Sequence, residues 1–410
     1  MKEGWEKRRL SEVLERTETV DPTKKPNEDF NYIDVSAVNN QTFFVESVQT
    51  LKGKDAPSRA RKLVKGNDVI FATVRPTLKR IAFISEANHQ HVCSTGYAVL
   101  RANADVVDGK YLFYFLLTDE FIAAMARLQK GASYPAVTDR EVKDQFLSYP
   151  KSIAEQRRIV SILDETFDAI DSAKANIEKN ICNSKELFES ELNSMLSMGG
   201  DGWIDTKLGE VCNGFLYGTS TKSQDSGKVA VLRMGNIQDR HVIWDNLVYT
   251  SVPQEIEKYS LRQGDVLFNR TNSTELVGKS AIYNLKHQAI FAGYLIKIIR
   301  NEDRLDSEFL NYYLNSSKVR QHGFSVMISS VSQANISSSK LKEYPIALPP
   351  LQEQQAIVGR LNSILERSTA LKTLYEKKLT KLASLKKSIL QKAFSGELTS
   401  AQLVEDTIQQ

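Results

Sequence analysis

Leu348-Pro349-Pro350-Leu351-Gln352-Glu353-Gln354-Gln355 opens a stretch that runs to about Phe394 and decides how the chain is built. The paired prolines hold the chain extended and donate no amide hydrogen bonds, a natural stop ahead of a helix. Beyond them Ile357, Ile364, Leu371 and Leu385 stand seven or fourteen residues apart, and Leu361, Tyr375, Leu382 and Ile389 form a second series four residues behind. Ser368 and Lys378 are polar lapses in a pattern of about five heptads, the signature of a coiled coil. A helix of ~44 residues spans roughly 65 Å, far more than one small domain. Lys372, Lys377, Lys381, Lys386, Lys387 and Lys392 are expected on its outer face, and its apolar seam needs a partner.

The chain supplies one. Ser152-Ile153-Ala154-Glu155-Gln156-Arg157-Arg158-Ile159-Val160 leads a second such stretch to about Met198, again after a proline, Pro150. Glu155/Glu353, Gln156/Gln354, Ile159/Ile357, Val160/Val358 and Leu163/Leu361 pair at an offset of 198 residues. Its seam reads Leu163, Ile170, Ile177, then shifts phase to Ile181, Phe188 and Met195. Two long helices with unburied seams are expected to pack on each other.

The repeat reaches beyond the helices. Gly4-Trp5 returns as Gly202-Trp203, and Leu10, Glu12 and Val13 return as Leu208, Glu210 and Val211. The stretch 63–71 matches 261–268 with one residue deleted, Gly96-Tyr97 matches Gly293-Tyr294, and the helix-like 111–116 matches 309–314. Residues 41–62 and 238–260 are dissimilar. Each half is therefore a β-rich module of ~150 residues ending in a helix, an α+β pattern, followed by a long helix. A kept frame with changed loops suits one task performed on two different targets.

The 410 residues fit two to four domains. A net charge of +4 and a pI near 8.7 permit a polyanionic partner without requiring one. Cys93, Cys182 and Cys212 lie far apart, which disfavours disulfides and a zinc site and points to a reducing compartment. No apolar run is long enough to cross a membrane, and Met1-Lys2-Glu3-Gly4-Trp5 carries no secretory signal, so the expectation is the cytoplasm.

These motifs resemble, over essentially the whole chain, the specificity (S) subunit of type I restriction-modification systems, the HsdS family. The resemblance rests on residues 348–354, on Gly264-Asp265-Val266-Leu267-Phe268-Asn269-Arg270-Thr271-Asn272-Ser273, on Thr73-Val74-Arg75-Pro76-Thr77-Leu78-Lys79 and on Ser332-Gln333-Ala334-Asn335-Ile336-Ser337. It implies two α/β target-recognition domains in tandem, at 1–150 and 200–348. Conserved helices at 151–199 and 349–398 would pair as an antiparallel coiled coil, with a tail at 399–410. It further implies double-stranded DNA as ligand, read as a split site, with two methyltransferase (M) subunits and restriction (R) subunits as partners in a bacterial or archaeal cytoplasm. S-adenosylmethionine, ATP and Mg are expected on those partners and no cofactor on this chain. Tyr149-Pro150-Lys151 departs from the family pattern by lacking the second proline.

Duplex binding needs cations for phosphate and planar side chains for base edges. The first module offers Lys52, Lys54, Arg59, Arg61 and Lys62 in one loop, Arg75, Lys79 and Arg80 after a strand end, and Ser133-Tyr134 in a second loop expected on the same face. The second offers the small-residue loop Thr219, Ser220, Thr221 and Lys222, then Asn269, Arg270, Thr271 and Asn272, then Ser330, Gln333 and Asn335. A solvated loop charge or a turn-capping Asn or Ser is the plainer account of any one of them.

Catalytic patterns fail one by one. Leu276-Val277-Gly278-Lys279-Ser280 resembles the end of a phosphate-binding loop, but Ser273 stands where the first glycine is required. The only Pro-Pro follows Leu348, not the Asn or Asp an amino-methyltransferase needs, and His89-Gln90-His91 has no carboxylate or cysteine at metal-ligand spacing. The expectation is a non-catalytic recognition and scaffold chain with two different half-sites. Two readers about one helical turn apart, ~34–36 Å, address one face of a duplex. The alternatives are a coiled-coil organiser with protein-binding modules and the specificity chain of a system with a fused methylase–nuclease.

Overall fold

The computed structural model describes residues 2–197, 199–329 and 333–398. The chain divides into two compact units, Met1–Ile177 with Lys377–Gln410, and Glu178–Glu376. Both long helices, Ile153–Met195 and Leu351–Ser395, contribute one part to each unit.

In the first unit Trp5–Arg9 pairs antiparallel with Phe146–Pro150, so the domain opens and closes on neighbouring strands. Between them lie a four-stranded sheet, in the order Gln49–Lys52, Asp29–Ile33, Val92–Ser94, Ala60–Leu63, and a three-stranded sheet centred on Val69–Ala72. The strand Val69–Ala72 is buried throughout, and its Phe71 meets Phe121 edge-on with ring centroids 5.3 Å apart. The turn before this strand is fixed by Asp68, which accepts the Lys65 N–H at 2.8 Å and receives Arg101 through two bonds of 2.8 and 2.9 Å. The second unit repeats the device: Asp265 accepts the Arg262 N–H at 2.7 Å and pairs with Lys297 at 2.6 Å. This is why both halves carry Gly and Asp at that place.

The second unit closes in the same way, Ile204–Lys207 pairing antiparallel with Pro345–Leu348. Its largest sheet has six strands, with Asp265–Asn269 between Leu295–Arg300 and Ser280–Tyr283. A small sheet of Thr271–Asn272, Ala334–Asn335 and Ile328–Ser329 stands at the end of that strand.

Each domain then fastens to its own long helix through a buried glutamine. Gln156 accepts the Asp108 N–H at 2.8 Å and donates to the carbonyls of Val106, 3.0 Å, and Pro150, 2.8 Å. Gln354 accepts the Asp306 N–H at 2.8 Å and donates to the carbonyls of Arg304 and Pro349, both at 2.8 Å. Both side chains are fully buried. Asp108 and Asp306 in turn cap the helices Gly109–Leu116 and Ser307–Asn315, each accepting two amide N–H groups. One turn further on the halves differ in charge. Asp164 takes Lys110 at 2.6 Å and the Tyr114 hydroxyl at 2.5 Å, whereas Asn362 donates to Glu308 at 2.8 Å and accepts from the Tyr312 hydroxyl at 2.5 Å.

The long helices pair antiparallel inside each unit. In the first, Ile159, Leu163, Phe167 and Ile170 share a core with Ile389, Leu390 and Ala393, and Asp171 binds Lys386 at 2.9 Å. In the second, Phe188 and Leu192 share a core with Ile357, Val358 and Leu361, and Ser184 bonds Ser368 at 2.8 Å. The heptad reading holds toward the ends of the helices and loosens toward their middles, where Leu371 is 37% and Leu374 50% exposed. Lys386 and Lys387, expected on the outer face, turn onto the first domain: Lys386 lies 4.6 Å from the Phe167 ring centroid and Lys387 3.2 Å from the Asp119 carboxylate. The tail 399–410 lies outside the described residues.

Candidate nucleic-acid interface

In the first domain the buried strand ends at Ala72, and Thr73 donates its N–H to the Gly96 carbonyl at 2.8 Å. The chain then turns through Arg75, held at φ 49°, into the short helix Pro76–Leu78. Beside this turn stands the loop Lys130–Ala136, whose two end residues exchange both backbone hydrogen bonds at 2.9 Å. Two more bonds tie loop to turn, Val137 N–H to the Thr73 carbonyl at 2.9 Å and Arg75 N–H to the Pro135 carbonyl at 2.7 Å. The Arg75 guanidinium donates to the Ser133 carbonyl at 3.3 Å and lies 5.2 Å from the Tyr134 ring centroid. Arg75, Ser133 and Tyr134, distant in sequence, thus form one exposed edge.

The other cations of this domain divide into two groups. Lys52 pairs with Asp29 at 3.2 Å, Arg61 with Asp21 at 2.9 Å, and Lys62 with Asp139 at 2.5 Å while also donating to the Tyr97 carbonyl. Lys79 pairs with Asp119 at 3.0 Å, and Arg80 donates to the carbonyls of Val35, Ser36 and Val38. The Lys79 hydrogen bond, joined by Lys387, holds the Asp119 carboxyl below its ordinary 3.8 against a smaller opposing effect of burial. Arg80 is a structural strut. Lys54 and Arg59 are exposed, with no side-chain partner among the described residues.

The second domain places its candidate residues on the corresponding edge. Thr271 pairs with Asn335 across two strands, as Val74 bridges Ala136 in the first domain. Arg270 donates to the Gly293 carbonyl at 3.2 Å and to Asn335 Oδ1 at 3.1 Å, and Asn335 Nδ2 donates to Thr271 Oγ1 at 2.8 Å. The same guanidinium lies 4.9 Å from the Tyr217 ring centroid. Tyr217 is tied down at its other end, donating to Ser338 Oγ at 2.9 Å and accepting the Ser338 N–H at 2.8 Å. Burial pushes this hydroxyl up, but the Ser338 bonds and the Arg270 charge outweigh it and leave it below the usual phenol value.

The loop after Tyr217 is drawn tight. A Cβ at Gly218 would collide with the Phe291 and Ala292 carbonyls, so only glycine fits there. The Thr219 N–H bonds the Phe291 carbonyl at 2.9 Å, and Thr219 Oγ1 accepts the Thr221 N–H at 3.0 Å. These amides are spent within the chain, which leaves exposed Ser220 and Lys222 as the groups this loop offers outward. Thr221 donates to Glu255 at 3.1 Å.

Asn269 departs most from the expectation of a base reader. It is 1% exposed, its carboxamide has no hydrogen-bond partner, and it lines a pocket of about 670 Å³ with Arg233, Asn246, Asn272 and Lys279. Asn272 is half-buried and accepts the Ser273 N–H. Gln333 is exposed, whereas Ser330 and Ser332 lie outside the described residues. Sequence reasoning did not pick out Gly293 and Ser338 as members of this network, although the repeated Gly-Tyr pairs at 96 and 293 marked the place. The histidine pair is occupied structurally, His89 accepting the Gly66 N–H at 3.1 Å and His91 facing Asn31 at 3.0 Å.

The sequence pattern of the family described as "Type I restriction modification DNA specificity domain" matches twice, over residues 2–182 and 200–381. The chain is 26% identical over 312 residues to the type I restriction enzyme StySPI specificity subunit of Salmonella potsdam. That similarity covers 72% of this chain and 66% of the relative, just under two thirds of its length. It is 25% identical over 347 residues to the EcoKI specificity subunit of Escherichia coli, covering 77% of this chain and 72% of that one. Among solved structures it is similar to the HsdS subunit of Thermoanaerobacter tengcongensis, with 31% identity, a TM-score of 0.68, and 97% and 98% of the two chains covered. A chain from a structure concerned with complex assembly and conformational transition of the type I R-M system aligns at a TM-score of 0.84 with 30% identity, over 97% of this chain and 99% of that one.

Proposed function

The chain belongs to the family of type I restriction-modification DNA specificity subunits, and from that premise we propose that it reads a bipartite, asymmetric DNA site and presents it to catalytic partners. Each domain, 1–150 and 200–348, would read one half-site through its Arg–Tyr edge. The helices 151–199 and 349–398 would fix the separation and carry two methyltransferase subunits and the restriction subunits. Methyl transfer, ATP hydrolysis and cleavage would belong to those partners, with S-adenosylmethionine, ATP and Mg bound there. A partner methyltransferase would take the target adenine out of the base stack into its own pocket.

One observation carries this reading: the frame of the two halves is duplicated down to the buried glutamine, while the edge beside each strand end is built from different side chains. A shared frame with different reading edges is what two unlike half-sites require. Free exposed cations, Lys54, Arg59 and Lys222, would supply phosphate contacts that position the edges without specifying sequence.

Methylation-aware sequencing of cells co-expressing the chain and its partner methyltransferase tests the proposal. The expected result is modified adenine in a split, asymmetric motif that vanishes when the chain is omitted. A palindromic motif would refute the two-reader account, and no chain-dependent motif from a soluble complex would leave a protein-binding scaffold.

A further inference from the structure

Tyr134 leaves 72% of its surface in water, a larger fraction than any other aromatic side chain among the described residues. A ring so exposed on a slack loop would fold down onto its surroundings. Here the loop is held by the paired bonds between Lys130 and Ala136 and by the two bonds to Thr73 and Arg75, and Gly131 takes φ 103° to close the turn. Arg75 stacks on one face of the ring at 5.2 Å while its guanidinium is anchored on the Ser133 carbonyl. The hydroxyl has no hydrogen-bond partner among the described residues. The second domain provides an internal contrast. Tyr217 also carries an arginine on its ring, but Ser338 holds its hydroxyl and it is only 38% exposed, so it acts as a staple.

We propose that Tyr134 is a base-stacking wedge, entering the DNA stack at one base step of the first half-site while Arg75 meets the neighbouring phosphate. This rests on the DNA-reading function proposed above. A rigid π-face beside a fixed cation is the combination that captures a base, since every base offers a stacking face. A side chain inserted at a base step opens the duplex locally and lets more protein surface reach the groove. Lys130 stands at the root of the loop with 84% of its side chain exposed and adds a second cation on the same side. Tyr217 is fixed along its length, and no wedge is assigned to the second domain.

The test uses the full chain in complex with its partner methyltransferase and duplexes carrying the methylated motif, with 2-aminopurine at successive positions of the first half-site. Fluorescence should rise at one position with the wild type and with Tyr134→Phe, which keeps the ring. Tyr134→Ala should abolish the rise and weaken binding by on the order of tenfold. Its melting temperature should be unchanged, because the ring supports nothing beneath it. No fluorescence change at any position in a bound wild-type complex, or undiminished affinity of Tyr134→Ala, would overturn the wedge. Failure of the wild-type complex to bind the motif at all would overturn the DNA-reading function and the wedge with it.

Discussion

Replacing Gln354 by leucine tests how a globular domain is fastened to the helix that leaves it. Leucine keeps most of the side-chain volume, so the change removes polar contacts and little packing. Three backbone groups lose their partner: the Asp306 N–H and the carbonyls of Arg304 and Pro349. At ~1–3 kcal/mol for each buried group left unsatisfied, complete orphaning would cost ~3–9 kcal/mol. Arg304 is at the surface and water can reach its carbonyl, which places the expected loss in the lower part of that range, about 3–5 kcal/mol. Two compact units need not unfold together, so a single global transition is a poor readout. Amide exchange of the helix Ser307–Asn315, which Asp306 caps, reports the local opening energy directly. Gln156→Leu should act in the same way on Gly109–Leu116, and the double variant should be additive because the two glutamines share no partner. A loss under about 1 kcal/mol would refute the reasoning. The apolar contacts of Ile357, Val358 and Leu361 would then suffice to hold the domain.

Asn362→Asp sets a carboxylate against Glu308 and should cost ~1–2 kcal/mol at neutral pH, between the bulk-water and near-surface Coulomb limits. Adding Glu308→Lys rebuilds the Lys110–Asp164 arrangement and should restore the melting temperature; a double variant no better than the single one would refute this. Asp119 has a lowered folded-state pKa, so its contribution is fully present above 3.8 and is lost as pH falls through the lower folded value. Asp119→Asn should therefore reduce the acid sensitivity of the first unit below about pH 4, measured by thermal melting across pH. Lys222→Ala should weaken DNA binding across sequences alike and lower the slope of log affinity against log salt by about 1, whereas Arg270→Ala should relax discrimination by ~1–3 kcal/mol. Equal effects of the two on specific and random duplexes would contradict the division between positioning and reading.

The frame was legible because duplication writes it twice. Gln156 and Gln354 stand at the repeat offset in the bare sequence, and the structure gives them identical bonds. The helix ends were legible from the prolines and the heptads. The loosened helix middles were not, because Leu371 and Leu374 fit the pattern of a buried seam and nothing in the sequence says the partner is thin there. The cation assignments show a second limit. Arg61 and Lys62 look like free phosphate binders until Asp21 and Asp139 are brought beside them, 40 and 77 residues away along the chain. Asn269 fails for the same reason: residue type announced a base reader, while the strand carrying it is buried.

The strand pairs that close each domain have a consequence of their own. Trp5 lies opposite Pro150 and Ile204 opposite Leu348, so the chain enters and leaves each domain through a two-stranded stalk. The register of that stalk is set by backbone bonds and does not depend on what lies between its strands. Everything from residue 10 to 145, or from 208 to 344, behaves as a cassette plugged into a fixed socket. New content in the cassette changes the text being read without disturbing the helix that begins a few residues beyond the socket.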